Sequence, residues 1–500
     1  MKATKGGRKY KHRAIFLAGV ALALFFLLTW CQNIIPSRNL TGLEDKRQLV
    51  LTDSPHKSLF PLTWREYVAV VLVFCGSFVS AGSGIGGGGI FISIFILLLG
   101  FTITQAVPLG NATVLGGAIA NASLNWKKRN PAADRPLIEY DIIFMMEPPT
   151  LVGVLLGSFL NQVLPGEVLV VGLLVTLALV AQRTIRKGVA LYHLENESRG
   201  LLKNIELATE EEESAASSDD LETTESATQQ MQSGSGNTPS PLPPVKSAAS
   251  KTSNNSTTQL VTNQKELVEA AQWEQRLRAL VAEERRAPRG ELALLTLLLA
   301  VLFGLDAVKG TAHVKSTTGV ERGSAAYWLV VLAMLLVVGA YFLRARRRVL
   351  RRELVRARAG CPWREGDVRW GEGRRALVFP LLCTGAGVVA GLFGLGGGVI
   401  KAPLLLEMGV PPGVTAATCA TMVLFTSASA FCSFALFGAV RWGYAAGAAA
   451  LGLAATLAGQ AAVLGAAERR GRPSVIVLCV GAVLVLSALA IAAHSAVAGV

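Results

Sequence analysis

Apolar residues in this chain gather into blocks of roughly 15–25 positions that almost exclude charge, the length a helix needs to cross a bilayer. A first set of five lies at about 66–82, 89–101, 106–126, 137–160 and 166–182. A second set of five lies near 376–393, 397–409, 412–438, 442–466 and 473–494, and two further segments near 291–305 and 325–343 stand between the sets. The pattern predicts an all-α, polytopic integral membrane protein. The chain divides accordingly into 64–187 (first repeat), 290–345 (two linking helices), 346–375 (a basic cytosolic segment) and 376–494 (second repeat). Residues 1–30 read as a basic stretch and an apolar run that fits a signal peptide and a first span equally well. An exoplasmic segment, 31–63, follows and carries the sequon Asn39-Leu40-Thr41.

Residues 188–289 differ in kind. Glu210 to Glu213, Asp219-Asp220 and a Ser/Thr/Gln/Pro-rich run cannot bury a core, so a disordered cytosolic loop is expected. Its end, Lys265 to Arg286, has helical periodicity and reads as a solvated or membrane-surface helix, or one that binds a protein partner.

Charge adds orientation. Lys and Arg number 48 against 34 Asp and Glu, a net +14, and the basic residues cluster at the ends of apolar blocks. The clusters are Lys2 to Arg13, Lys127-Lys128-Arg129, Arg183 to Lys187, Arg344 to Arg352 and Arg469 to Arg472. That is the positive-inside pattern rather than a nucleic-acid surface. Counted from a cytoplasmic N-terminus, all five fall on one side if the short segments 89–101 and 397–409 form re-entrant hairpins with their neighbours. The same count starts the first set outside and the second inside, which makes the two five-segment repeats inverted. The seven Cys form no CxxC pair or Cys/His cluster, so neither a metal site nor a cofactor is implied.

Two glycine motifs carry the functional reading. Gly84-Ile85-Gly86-Gly87-Gly88 and Gly394-Leu395-Gly396-Gly397-Gly398 sit 310 residues apart, at the same place in the two sets. Each follows a helix ending in Ala-Gly and leads into a short apolar segment ending in Gly. Consecutive glycines allow a helix to unwind, and unwound backbone at membrane depth is tolerated where it lines a cavity or is buried in protein. A break also exposes a helix N-terminus that favours anions. Paired breaks of this kind surround the midplane site of many transporters. Close helix packing is the plainer use of the same glycines.

Single residues have two readings each. Lys401 either attracts an anion or snorkels to the interface. Glu147 and Glu407 either carry a coupling proton or pair with a basic side chain. Asn111 and Thr113 face, on this reading, Thr415, Thr418, Cys419 and Thr421 of the second set. The Asn and Thr side chains donate hydrogen bonds to an oxyanion or to helix backbone, and Cys419 favours packing. Gln460 stands with them. No GxSxG, HExxH or nucleotide-loop motif occurs, so the chain does not read as an enzyme.

The same residues resemble the TauE/SafE (sulfite exporter) family in its eukaryotic form. The resemblance rests on both Gly motifs, Arg135-Pro136-Leu137-Ile138-Glu139-Tyr140-Asp141, Glu147-Pro148 and Glu365-Gly366-Asp367-Val368-Arg369-Trp370. Val399-Ile400-Lys401-Ala402-Pro403, Leu406 to Pro412 and Gly459-Gln460 complete it. The resemblance implies export of sulfite or related organosulfur anions. The alternative from composition alone is a membrane scaffold or receptor that acts through its cytosolic loop.

Overall fold

The structure, a computed structural model, describes residues 63–81, 86–131, 133–219, 271–309, 324–360, 367–372, 374–470 and 473–498. Residues 1–30, the sequon and Gly84 of the first motif lie outside the described residues.

The first set folds as α1 (Trp64–Ser80), α2 (Gly88–Leu99), α3 (Ile103–Asn125), α4 (Tyr140–Val163) and α5 (Gly166–Asp219). A helix over 271–284 is α6, followed by α7 (Arg289–Lys309) and α8 (Ala325–Arg358). The second set is α9 (Arg375–Phe393), α10 (Gly398–Glu407), α11 (Pro412–Leu436), α12 (Trp442–Arg470) and α13 (Pro473–Ala498). Each of the twelve apolar segments after residue 63 has its counterpart in one of these helices, and no strand is formed among the described residues. Seven of the helices are long and apolar enough to cross a membrane.

One boundary differs from the expectation. Helix α5 does not stop near 187 but continues to Asp219, across the start of the acidic loop. A helix satisfies its backbone internally, and the Leu, Ala and Glu residues after 188 are strong helix formers, so no core is needed to extend it.

Burial follows composition. The middle of α11, made of Ala, Ser, Thr, Cys and a few large apolar residues, is buried almost throughout, whereas α8 presents most of its surface outward. Around α11 pack α3, α4, α7 and α10; α9 lies along α4, α12 along α3 and α1, and α13 along α5 and α2. Glycine permits the closest of these approaches. On α4, Gly153 and Gly157 rest on the carbonyl oxygens of Thr384 and Val388, and on α9, Gly387 and Gly391 rest reciprocally on those of Thr150 and Val154. A Cβ at any of the four would overlap backbone oxygen.

This contact sets a stability expectation. Overpacking a core costs about 1–3 kcal/mol when side chains can yield, and here only two helix backbones are available to move. Gly157→Val should therefore abolish the monodisperse species seen by size exclusion in detergent. Gly385→Ala on the neighbouring helix meets nothing within 4 Å and should leave that peak in place.

Candidate functional site

The two glycine motifs, far apart in sequence, meet inside the bundle. Gly88 packs against the carbonyl oxygen of Gly394, close enough that a Cβ would overlap it. Gly86 and Gly396 both face the same two side chains, Val114 of α3 and Val423 of α11. The residue before each short helix adopts the left-handed conformation, Gly87 at φ 59° and Gly397 at φ 70°. A side chain is strained there, which is why each break falls on glycine. The short helices that start at the breaks, α2 with 12 residues and α10 with 10, span only about half a bilayer at ~1.5 Å per residue. The first N–H groups of such a helix have no acceptor within it, and Gly88, which opens α2, lies against Gly394 and Leu395 of the second break.

The helix ends before the breaks are held by two amides from the opposite set. Asn161 Nδ2 donates to the Leu392 carbonyl at 2.7 Å, and Gln460 Nε2 donates to the Ala81 carbonyl at 2.8 Å and to Asn121 Oδ1 at 3.0 Å. Gln460 thus has a positioning job at the first break. Asn161 has the matching one at the second, and as a single amide in an apolar helix it carries no signal in the sequence.

Lys401, on the first turns of α10, has no exposed surface. It does not reach an interface, which removes the snorkelling alternative. Its Nζ donates to Glu147 Oε2 of α4 at 2.7 Å and to Thr426 Oγ1 of α11 at 2.8 Å. The Thr426 hydroxyl lies 2.7 Å from Glu147 Oε1 and 2.8 Å from the Met422 carbonyl, and its one proton serves one of the two at a time. Three helices therefore converge on a neutral, fully buried triad. Thr426 was not singled out in the sequence; α11 carries so many hydroxyl residues that only the lysine's need for a second acceptor marks it.

Asn111 of α3 is the other unusual group. It is completely buried, and neither Nδ2 nor Oδ1 has a hydrogen-bond partner. The amide lies beside the second break, where a Cβ built on Gly394 would sit 3.2 Å from Nδ2. A buried unpaired amide costs about 1–3 kcal/mol, so its presence calls for an explanation other than stability.

The remaining residues take smaller parts. Thr113 and Thr421 donate to the backbone carbonyls of Leu109 and Ala417, and Cys419 is buried and free. Thr113 also lines a cavity of about 20 Å³ at Gly86, together with Ser77, Asn121 and Thr456. Thr418 accepts from the Glu139 N–H at 3.0 Å and so ties α11 to the start of α4. Glu407 is exposed at the end of α10 and does not join Glu147.

A clasp of ion pairs closes one end of the bundle. Arg135 bonds Asp367 at 2.9 Å and lies 3.4 Å from Glu139, while Arg356 bonds Glu284 at 2.6 Å and Arg352 bonds Asp141 at 2.9 Å. The Arg135–Asp141 motif and the described part of the second motif, Asp367 to Trp370, thus meet beside α8, with Trp370 buried. Burial pushes the Glu139 carboxyl up to about 7 against the pull of the Arg135 guanidinium. Arg129 reaches the Arg285 carbonyl, which puts the Lys127–Arg129 and Arg344–Arg352 clusters at the same end.

Comparison with known proteins accords with this arrangement. Residues 68–217 and 285–490 match the family described as Sulfite exporter TauE/SafE. The chain is 28% identical over 478 residues to Sulfite exporter TauE/SafE family protein 1 of Arabidopsis thaliana, covering 92% of each chain. It is 27% identical over 443 residues to family protein 2 of the same plant, covering 87% of this chain and 84% of that one. No solved structure gives a significant match. The matched regions contain both glycine breaks, the triad and every residue of the clasp except Glu284, and the chain belongs to the TauE/SafE family of membrane transporters.

Proposed function

We propose that this protein exports a small oxyanion, sulfite or an organosulfonate, by alternating exposure of a site between the two glycine breaks. The observation that carries the reading is the Lys401–Glu147–Thr426 triad, a buried charge pair whose lysine lies against Gly397 of the second break, the same break whose Gly394 adjoins the unpaired Asn111 amide. The relatives' names supply sulfite; the chemistry supplies an anion. Helix N-termini and the Asn111 amide offer donors, and Lys401 offers the counter-charge.

With Glu147 ionised, the pair is neutral and holds no net attraction for an anion. Protonating Glu147 leaves the ammonium uncompensated, and an oxyanion then takes the place of the carboxylate. Proton and anion accordingly travel together. The cavity at the first break has room for about one water, so binding requires the halves to part.

The inverted repeat belongs to this proposal, and several correspondences support it. Helix α9 packs on α4 as α1 packs on α12. Gly157 rests on the Val388 carbonyl and Gly459 on that of Phe78, and those two carbonyls are 310 residues apart, the spacing of the motifs. The halves are not equal in charge. Phe91 stands in the first half where Lys401 stands in the second, again 310 apart, and each lies against its own break glycine. At this position, four residues after the break glycine, only the second half carries a charge.

Purified protein in liposomes loaded with sulfite tests the reading. Efflux above protein-free liposomes is expected, faster when the lumen is acidic than at equal pH because the proton gradient then points outward. Efflux no greater than in empty liposomes, for sulfite and for a small sulfonate alike, would sink it.

A further inference from the structure

The outward face of α8 changes character along its length in a way the transport site does not use. Leu329, Leu332, Leu336 and Leu343 are exposed along one stripe of this helix, and Arg347 and Arg351 continue the same stripe at i+4 and i+8 from Leu343. Exposed Trp328 stands near its other end. Nineteen residues separate Trp328 from Arg347, about 29 Å along a helix, which is the thickness of a bilayer's hydrocarbon core. An interfacial aromatic therefore marks one boundary, and the two arginines stand at headgroup level at the other.

At that level the arginines border a surface cavity of about 600 Å³, lined by Glu283, Arg344, Arg347, Arg348, Arg351 and Arg352. Its charge is not balanced. Arg344 pairs with Glu291, Arg348 with Glu283 and Glu291, and Arg352 with Asp141 and Glu283. Arg347 and Arg351 pair with no carboxylate among the described residues. Five guanidinium groups thus surround one lining carboxylate, and the two unpaired ones are those that adjoin the apolar stripe.

We infer that this cavity binds the phosphate headgroup of an anionic phospholipid. Arg347 and Arg351 hold the phosphate, and the acyl chains lie along Leu343 and Leu336. Guanidinium forks match phosphate geometry, and basic residues just cytosolic of a span draw anionic lipid. The continuity of the apolar stripe with the arginine pair selects a lipid over a soluble phosphate, which has no use for the leucines. The site also touches the clasp, because Glu283 bridges Arg348 and Arg352, and Arg352 holds Asp141 at the start of the helix that carries Glu147.

The test uses the full chain in detergent, with melting followed as phosphatidylglycerol, phosphatidylcholine or inorganic phosphate is added. Phosphatidylglycerol should raise the melting temperature by several degrees and phosphatidylcholine should not. The Arg347→Gln/Arg351→Gln variant should lose most of that rise, and Arg374→Gln, at the exposed start of α9, should keep it. Native mass spectrometry should find anionic lipid retained by the wild type and lost from the double variant. An equal rise in the double variant overturns the inference, as does an equal rise with inorganic phosphate. A rise that emerges only after Glu210 to Glu213 are replaced by Gln also overturns it, since the chain's own acidic run is then the occupant.

Discussion

Lys401→Met is expected to yield a poorly folding protein, and Lys401→Met combined with Glu147→Met to restore the fold without restoring transport. Removing one member of a buried ion pair strands the other charge in an apolar interior, at a cost of about 3–5 kcal/mol. For a membrane bundle of ordinary stability that is a large fraction of the whole. Replacing both members by apolar groups of similar volume removes the stranded charge and is often neutral. The Thr426 hydroxyl, left beside two thioethers, still has the Met422 carbonyl to receive its proton. Melting temperature and monodispersity should therefore fall sharply in Lys401→Met and recover in the pair. Sulfite efflux should stay at least ~10-fold down in both, since one charge-assisted contact is worth about 1.5–3 kcal/mol, and further down in the double variant, which also lacks the carboxyl proposed to carry the proton. A double variant that transports at the wild-type rate would remove Lys401 and Glu147 from the mechanism and leave them as packing.

That pair also marks how far the sequence is legible. The apolar blocks are readable because a bilayer demands a minimum run of apolar residues, a one-dimensional property of the chain. The breaks are readable because two glycine runs keep one spacing. That an ionisable residue in a span needs a partner is likewise a local argument. Which acid answers Lys401 is not local: Glu147 lies 254 residues away, while Glu407, six residues away, ends exposed on the same short helix.

Helix pairing decides that choice, and it is set by where Gly153, Gly157, Gly387 and Gly391 let α4 and α9 touch. Thr426 is hidden for a related reason. Along α11, Thr421 and Ser427 bond their own helix backbone, and nothing in their neighbourhood distinguishes them from Thr426. The motifs Arg135 to Asp141 and Glu365 to Trp370 are visible as strings. Only the fold brings Arg135 to Asp367 and so makes them one clasp.

Asn111→Leu is expected to separate function from folding more cleanly than any substitution in the triad. Most buried amides are held by hydrogen bonds, and replacing one leaves partners unsatisfied. Asn111 has no partner to strand. Leucine has the same branching and number of side-chain heavy atoms, though its methyl groups are bulkier, and it removes two desolvated polar atoms, so the melting temperature should hold or rise. If Asn111 is spent on the substrate, sulfite efflux should fall about 10–100-fold, the loss of one hydrogen bond of about 1.5–3 kcal/mol to a charged oxygen. Asn111→Asp makes the opposite test at the same place. It keeps the shape and replaces a donor with a negative charge, which should repel an oxyanion and reduce efflux further. The melting temperature of that variant should fall, because an unpaired carboxylate is then buried. Wild-type efflux from Asn111→Leu would show that the unpaired amide is a cost the fold carries without using it. The oxyanion contacts would then lie with Lys401 and the helix N-termini alone.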